Sequence, residues 1–201
     1  MKIILVGANG TLGKHIRKTF QEAKHEVISV GRTRGDLQVD LEKPESISKL
    51  YEKTGEFDAL VCAAGDVAFA PFKDLTLDQW NFSFRSKLLG QIQLVQQALP
   101  YIRENGSFTL ISGILAEAPI FSGVAASTVN QALEGFVRAA ACELPKGLRI
   151  NLVSPTVLKD SLETYADFFP GFPAVDGLSV AMAFQRSVMG IQTGQIFHVG
   201  F

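Results

Sequence analysis

The chain has 201 residues, 47% of them hydrophobic, and a formal net charge of -1. That is enough for one well-buried domain spanning 1–201, and the charge is too evenly spread for a nucleic-acid surface, which needs a concentrated Lys/Arg face. No apolar run approaches the roughly 18 residues that span a bilayer, and the opening strand is too short for a secretory signal core, so a cytoplasmic protein with no membrane partner is expected. Cys62 and Cys142 have neither metal-ligand nor C-x-x-C spacing and read as packing residues; the scattered histidines add no metal site.

In chain order, MKIILVGANGTLGKHI comes first: an apolar strand, a turn with Gly7, Gly10 and Gly13, and the start of a helix. This arrangement binds a dinucleotide pyrophosphate. Gly7 makes the turn, Gly10 lets bare backbone approach the phosphates, and Gly13 lets the helix pack on the sheet with its N-terminal amides facing the anion. Asn9, Thr11 and Leu12 fill the loop and count with the glycines as cofactor-binding positions. A Walker A loop is excluded, because the outer glycines are one residue too far apart and His15 stands where Ser or Thr should follow Lys14.

Further along, apolar runs fall at Lys2–Val6, Glu26–Val30, Asp58–Cys62, Ser107–Ser112, Arg149–Val153 and Gln195–Val199, separated mostly by stretches with helical spacing. This alternation predicts an α/β protein with a three-layer Rossmann fold, a doubly wound parallel sheet of about seven strands with helices on both faces. Pro44 suits a helix's first turn, Gly55 follows its end, and Thr76 with Gln79 makes a capping box. Gly31–Asp36 is too short for a crossover helix, so Leu37–Asp40 is expected as a short edge strand.

Cofactor choice is written where the second strand ends. An NAD site places a carboxylate there for the ribose 2′-hydroxyl, and an NADP site offers arginine to the 2′-phosphate. This chain reads Gly31-Arg32-Thr33-Arg34, with no carboxylate at that point and with Arg32 and Thr33 as donors. NADP(H) is therefore expected over NAD(H).

The residues together resemble the short-chain dehydrogenase/reductase superfamily over nearly the whole chain. After the glycine loop, Asp40 and Leu41 resemble the acidic segment beside the adenine, and Cys62-Ala63-Ala64-Gly65 resembles the turn after the fourth strand. TLDQWNFSFRSKLLGQ resembles the long tryptophan-bearing helix, ISG the end of the fifth strand, AASTVNQALEGFVRAAACEL the active-site helix, and TGQIFHVG the last strand. In RINLVSPTVL, Pro155 and Val157 fall in the turn that the family lays against the nicotinamide, with Thr156 in place of the usual glycine. The resemblance implies a cofactor site at Gly7, Asn9, Gly10, Thr11, Leu12, Gly13, Arg32, Thr33, Asp40, Leu41, Ala63, Ala64, Gly65, Pro155 and Val157.

The same alignment implies an altered active site. The family's serine, tyrosine, lysine and asparagine positions hold Gly113, Ala126, Asn130 and Lys87. Ser112 and Ser127 lie one residue off, and one step on a strand or helix turns a side chain away. Lys87 is the candidate catalytic group, as a desolvated acid or a substitute at the ribose, against the alternative of a lysine pointing to water. Two readings follow: an oxidoreductase with a non-standard active site and an unknown small-molecule substrate, or a catalytically silent nicotinamide sensor or protein-binding scaffold. The Leu158–Pro173 segment, with Phe168, Phe169 and Phe172, is either a substrate lid or core. The small residues of Gly123–Glu143 suit close helix packing, and a homodimer or homotetramer is expected.

Overall fold

The computed structural model describes residues 1–201 as one seven-stranded parallel sheet with helices on both faces. The strands are β1 (Lys2–Val6), β2 (Glu26–Gly31), β3 (Leu37–Gln38), β4 (Phe57–Cys62), β5 (Ile102–Ile111), β6 (Arg149–Pro155) and β7 (Ile196–Val199). Their order across the sheet is β3-β2-β1-β4-β5-β6-β7. The order reverses between β1 and β4, and in open α/β sheets that crevice, at the carboxyl ends of the strands, receives the ligand. The expected doubly wound fold is what the chain adopts.

Alternation along β1 feeds two cores. Ile4 and Val6 join a cluster of 22 buried residues on one face, and Ile3 and Leu5 join one of 14 on the other. The first core is closed by α2 (Pro44–Thr54), α4 (Gly90–Ala98) and α5 (Val124–Glu143); the second by α1 (Thr11–Glu22) and α7 (Gly177–Met189). A short α3 (Leu77–Ser83) precedes α4, and α6 (Leu162–Tyr165) lies in the segment before α7. Both faces being covered explains why the strands read as near-continuous apolar runs.

Local signals act as expected at several ends. Pro44 opens α2, Gly55 follows it with φ 59°, and Thr76 and Gln79 form the reciprocal capping box of α3. Other expectations need correction. Edge strand β3 stops at Gln38 and not at Asp40. The Asp40 amide donates to Ser46 Oγ at 2.9 Å and its carboxylate accepts from the Glu42 amide at 3.2 Å, which turns the chain into α2. β5 begins five residues before the expected Ser107, at Ile102, with a register irregularity opposite Phe57 and Ala59. The tryptophan-bearing segment is not one regular helix: a π-helical stretch, Phe84–Leu89, joins α3 to α4. Such stretches concentrate at functional sites. Cys62 is buried as expected, but Cys142 is exposed, because its position on α5 faces away from the sheet. No helix is long and apolar enough to cross a membrane.

Candidate active site

The three glycines of the first turn do three different jobs. A Cβ on Gly7, which has φ 85°, would stand 2.6 Å from the Ala63 carbonyl oxygen, and one on Gly13 would stand 2.0 Å from the Gly7 carbonyl oxygen. These two are demanded by the fold. Gly10 is different: it is exposed, its φ is an ordinary -71°, and the nearest atom to a Cβ there is 3.4 Å away. Nothing inside the protein requires it to be bare, so the open backbone at the N-terminus of α1 fits an external anion.

A groove runs beside this turn, lined by Gly7, Asn9, Gly10, Gly31, Arg32, Thr33, Arg34 and Ala63–Asp66. It continues into a small cavity of about 80 Å³ between Val39, Asp40, Leu41, Glu42, Ala64 and Ser86. The structure thus gathers most of the expected cofactor positions. Thr11 and Leu12 do not line the groove; Thr11 faces Lys14 and His15 on the outer side of α1, and Leu12 packs against the core under it. Asn9 holds the loop as well as lining it, donating from Nδ2 to the Arg34 carbonyl at 2.8 Å.

The Gly31–Asp36 loop is curled back on the strand it leaves. The Ser29 amide and hydroxyl donate to Asp36 Oδ2 at 2.8 and 2.7 Å, and these bonds hold the Asp36 carboxyl below its usual range. One expectation needs correction here. A carboxylate does stand near Arg32: Glu42 Oε1 lies 3.4 Å from its Nη2, and Asp40 Oδ2 lies 3.9 Å away. Both come from the turn into α2, eight or more residues downstream of Arg32, so the residues flanking the arginine gave no sign of them.

A second cavity, of about 400 Å³, opens past the ends of β4, β5 and β6. Gly65 and Asp66 line both it and the groove, so the two are continuous. Lys87, Gly113, Ala126 and Asn130 all line it, as do Pro155, Thr156 and Val157. Apolar walls come from Val67, Phe69, Ile114, Leu115 and Phe169. The structure therefore brings together every expected nicotinamide-side position.

Lys87 lines this cavity. It sits in the π-helical stretch, half-buried, with its stem against Gly65: a Cβ on Gly65 would lie 2.9 Å from both Cα and Cγ of Lys87. Glycine at 65, with φ 126°, is what lets the lysine-bearing helix approach this closely. Burial draws the Lys87 ammonium down to about 8, the Asp66 carboxylate opposing the shift. Cys62 beneath it is pushed up to about 12 by burial and stays a neutral thiol. Asn130 donates from Nδ2 to the Gly113 carbonyl at 3.2 Å, and Ser112 turns its hydroxyl to the Asn130 carbonyl at 3.3 Å.

The segment expected as lid or core packs two of its aromatics inward and borders the cavity. Phe169 and Phe172 meet edge to face at 5.4 Å over Ile114, Leu115 and Ala126, whereas Phe168 is exposed. Its ends are clamped by the Leu158–Val175 bridge, the Lys159–Asp176 ion pair (3.0 Å) and a hydrogen bond between His15 Nε2 and Asp160 Oδ2 (2.6 Å). Tyr165, from α6, lines the cavity and was not singled out in the sequence; its place among clustered aromatics was the available signal.

A Rossmann-type sheet whose glycine turn and cavity meet at the topological switch defines a nicotinamide-dinucleotide protein class. The family model described as enoyl-(acyl carrier protein) reductase matches residues 1–192, and the chain belongs to this family of the short-chain dehydrogenase/reductase superfamily. The protein lin1944 of Listeria innocua is 44% identical, with TM-score 0.97 and 98% of each chain covered. A small-chain dehydrogenase in complex with NADPH shares the fold, at TM-score 0.88 and 21% identity over 99% of this chain and 96% of that one. The hydroxynaphthalene reductase of Aspergillus fumigatus is 26% identical over 153 residues, 74% of this chain and 56% of the relative. The chain thus spans little more than half the length of that curated relative.

Proposed function

We propose that the protein is an NADP(H)-dependent oxidoreductase with a non-standard active site, in which Lys87 supplies the proton. The carrying observation is the half-buried Lys87 on the wall of a cavity continuous with the dinucleotide groove. The nicotinamide supplies a hydride when bound; the remaining work falls to the chain. The α1 amides and bare Gly10 would hold the pyrophosphate, Arg32 and Thr33 the 2′-phosphate, and Asp40 and Leu41 the adenine end. Ala63, Ala64, Gly65, Pro155 and Val157 would hold the nicotinamide half. Lys87 donates a proton from Nζ to the carbonyl oxygen of a small-molecule substrate and recovers it from solvent through the open side of the cavity.

A depressed lysine suits this role, since an acid whose pKa lies near the operating pH is both present and willing to give its proton. The exposed, small-residue face of α5, with Gly135 and Ala139, supports a homodimer or homotetramer as the working state. A second reading, a silent nicotinamide sensor, draws on Ala126, which cannot transfer a proton at the tyrosine position. Turnover across a carbonyl and quinone panel separates the two.

Arg32 gives a direct test of the cofactor half. Arg32→Ala should weaken NADPH by about 10- to 100-fold, the worth of one charge-assisted contact, and leave NADH within about twofold. Titration of both proteins with both cofactors reads the ratio. An unchanged ratio in the variant would contradict the assignment of Arg32 to the 2′-phosphate.

A further inference from the structure

Arg32 lines the dinucleotide groove and also a polar recess of about 340 Å³, whose other walls are Asp40, Glu42, Lys43 and Arg85, with no hydrophobic residue among them. Arg85 comes from the π-helical stretch, Phe84–Leu89, far along the chain from the other four. The charges of the recess are not equally engaged. Arg32 Nη2 lies 3.4 Å from Glu42 Oε1 and 3.9 Å from Asp40 Oδ2, and Lys43 Nζ lies 3.5 Å from the same Asp40 oxygen. Arg85 is exposed, and its guanidinium forms no ion pair and no side-chain hydrogen bond.

Charge balance then decides what the recess can hold. Arg32 and Lys43 offset Asp40 and Glu42, so without Arg85 the recess is neutral. A phosphate monoester brings about 1.5 to 2 negative charges at neutral pH. In a neutral recess, what it gains from Arg32 it loses to the carboxylates that Arg32 already faces. Arg85 supplies the surplus positive charge. Its planar fork can take two phosphate oxygens at once, and it gives up no protein partner in doing so. We infer that Arg85 is a second 2′-phosphate-binding residue, which receives that group together with Arg32 and makes the recess selective for a phosphorylated ribose. The inference rests on the reading of Arg32 as a 2′-phosphate residue. An arginine can also stack on an adenine ring, and the test separates the two roles.

The nucleotides 2′,5′-ADP and 5′-AMP are matched probes that differ by the 2′-phosphate and lack the nicotinamide half. Both are titrated calorimetrically against the wild-type protein, Arg85→Gln and Lys49→Gln. The last removes the same charge from an exposed position on α2 outside the recess. The wild-type protein should favour 2′,5′-ADP. Arg85→Gln should weaken 2′,5′-ADP by about 10-fold, the worth of one charge-assisted contact, and leave 5′-AMP within about twofold. Lys49→Gln should change neither by more than about twofold. Because the Arg85 side chain touches no partner in the protein, Arg85→Gln should keep the wild-type melting temperature.

A wild-type preference that survives in Arg85→Gln overturns the inference and leaves the phosphate to Arg32. Equal weakening of both nucleotides by Arg85→Gln also overturns it, since the arginine then serves the adenine. An equal loss of 2′,5′-ADP in Lys49→Gln overturns it in favour of net charge alone. A wild-type protein that does not distinguish the two nucleotides overturns the Arg32 reading itself. That failure appears before any variant is made, so it is distinct from the others.

Discussion

Lys87→Met lowers NADPH-dependent turnover by about 10²–10⁴-fold, the usual contribution of a positioned acid, while 2′,5′-ADP binding stays unchanged. The pH profile carries the sharper signature. With the free-protein ammonium at about 8, kcat/KM for reduction is flat below that pH and falls about tenfold per unit above it. Lys87→Met loses that limb. The same shift makes a stability prediction of defined sign. The folded lysine releases its proton near 8 and the unfolded one near 10.5, so between these values the unfolded chain binds more protons and stability rises with pH. Below about 8 the buried ammonium costs stability, and Lys87→Met should therefore melt higher than the wild-type protein at neutral pH, by a few degrees. A variant with wild-type turnover and an unaltered pH profile would remove Lys87 from the chemistry.

Gly10→Ala and Gly13→Ala should fail in opposite ways. A Cβ at Gly13 meets backbone 2.0 Å away, an overlap that no rotamer change relieves, and the cost should exceed the usual overpacking penalty of about 1–3 kcal/mol. Gly13→Ala is expected to be destabilised or misfolded. Gly10→Ala has room within the protein and should lose no more than about 1 kcal/mol, chiefly from the poorer helix cap. If the pyrophosphate lies on this turn as proposed, the added Cβ would stand in the way, and affinity for NADPH should fall by about 10-fold or more, on the order of one lost phosphate contact. Melting curves and cofactor titration of the two variants separate fold from ligand. Wild-type NADPH affinity in Gly10→Ala would show that the anion is held elsewhere.

The sheet and the glycine turn were legible because both are written locally. Strands buried on two faces give continuous apolar runs, and Gly7, Gly10 and Gly13 lie within one turn of chain. The edges were less so: β3 ends at Gln38 because Ser46 captures the Asp40 amide, a contact made only once α2 has formed. Arg32 was legible as a cation at the end of β2, but not Glu42 beside it, since that pairing depends on how the turn after β3 folds back. Lys87 could be placed on a helix from its distance to Trp80. Its direction could not, because the π-helical stretch shifts the phase of the helix face and Gly65 supplies the room from a distant turn.

The central claim is that this chain holds NADP(H) across the β1–β4 crevice, and titration of the purified protein with NADPH and NADH, followed by cofactor fluorescence, tests it most directly. Saturable binding that is at least about tenfold tighter for NADPH is the predicted result, in keeping with one arginine–phosphate contact. Binding of neither cofactor, or equal affinity for both, would contradict it.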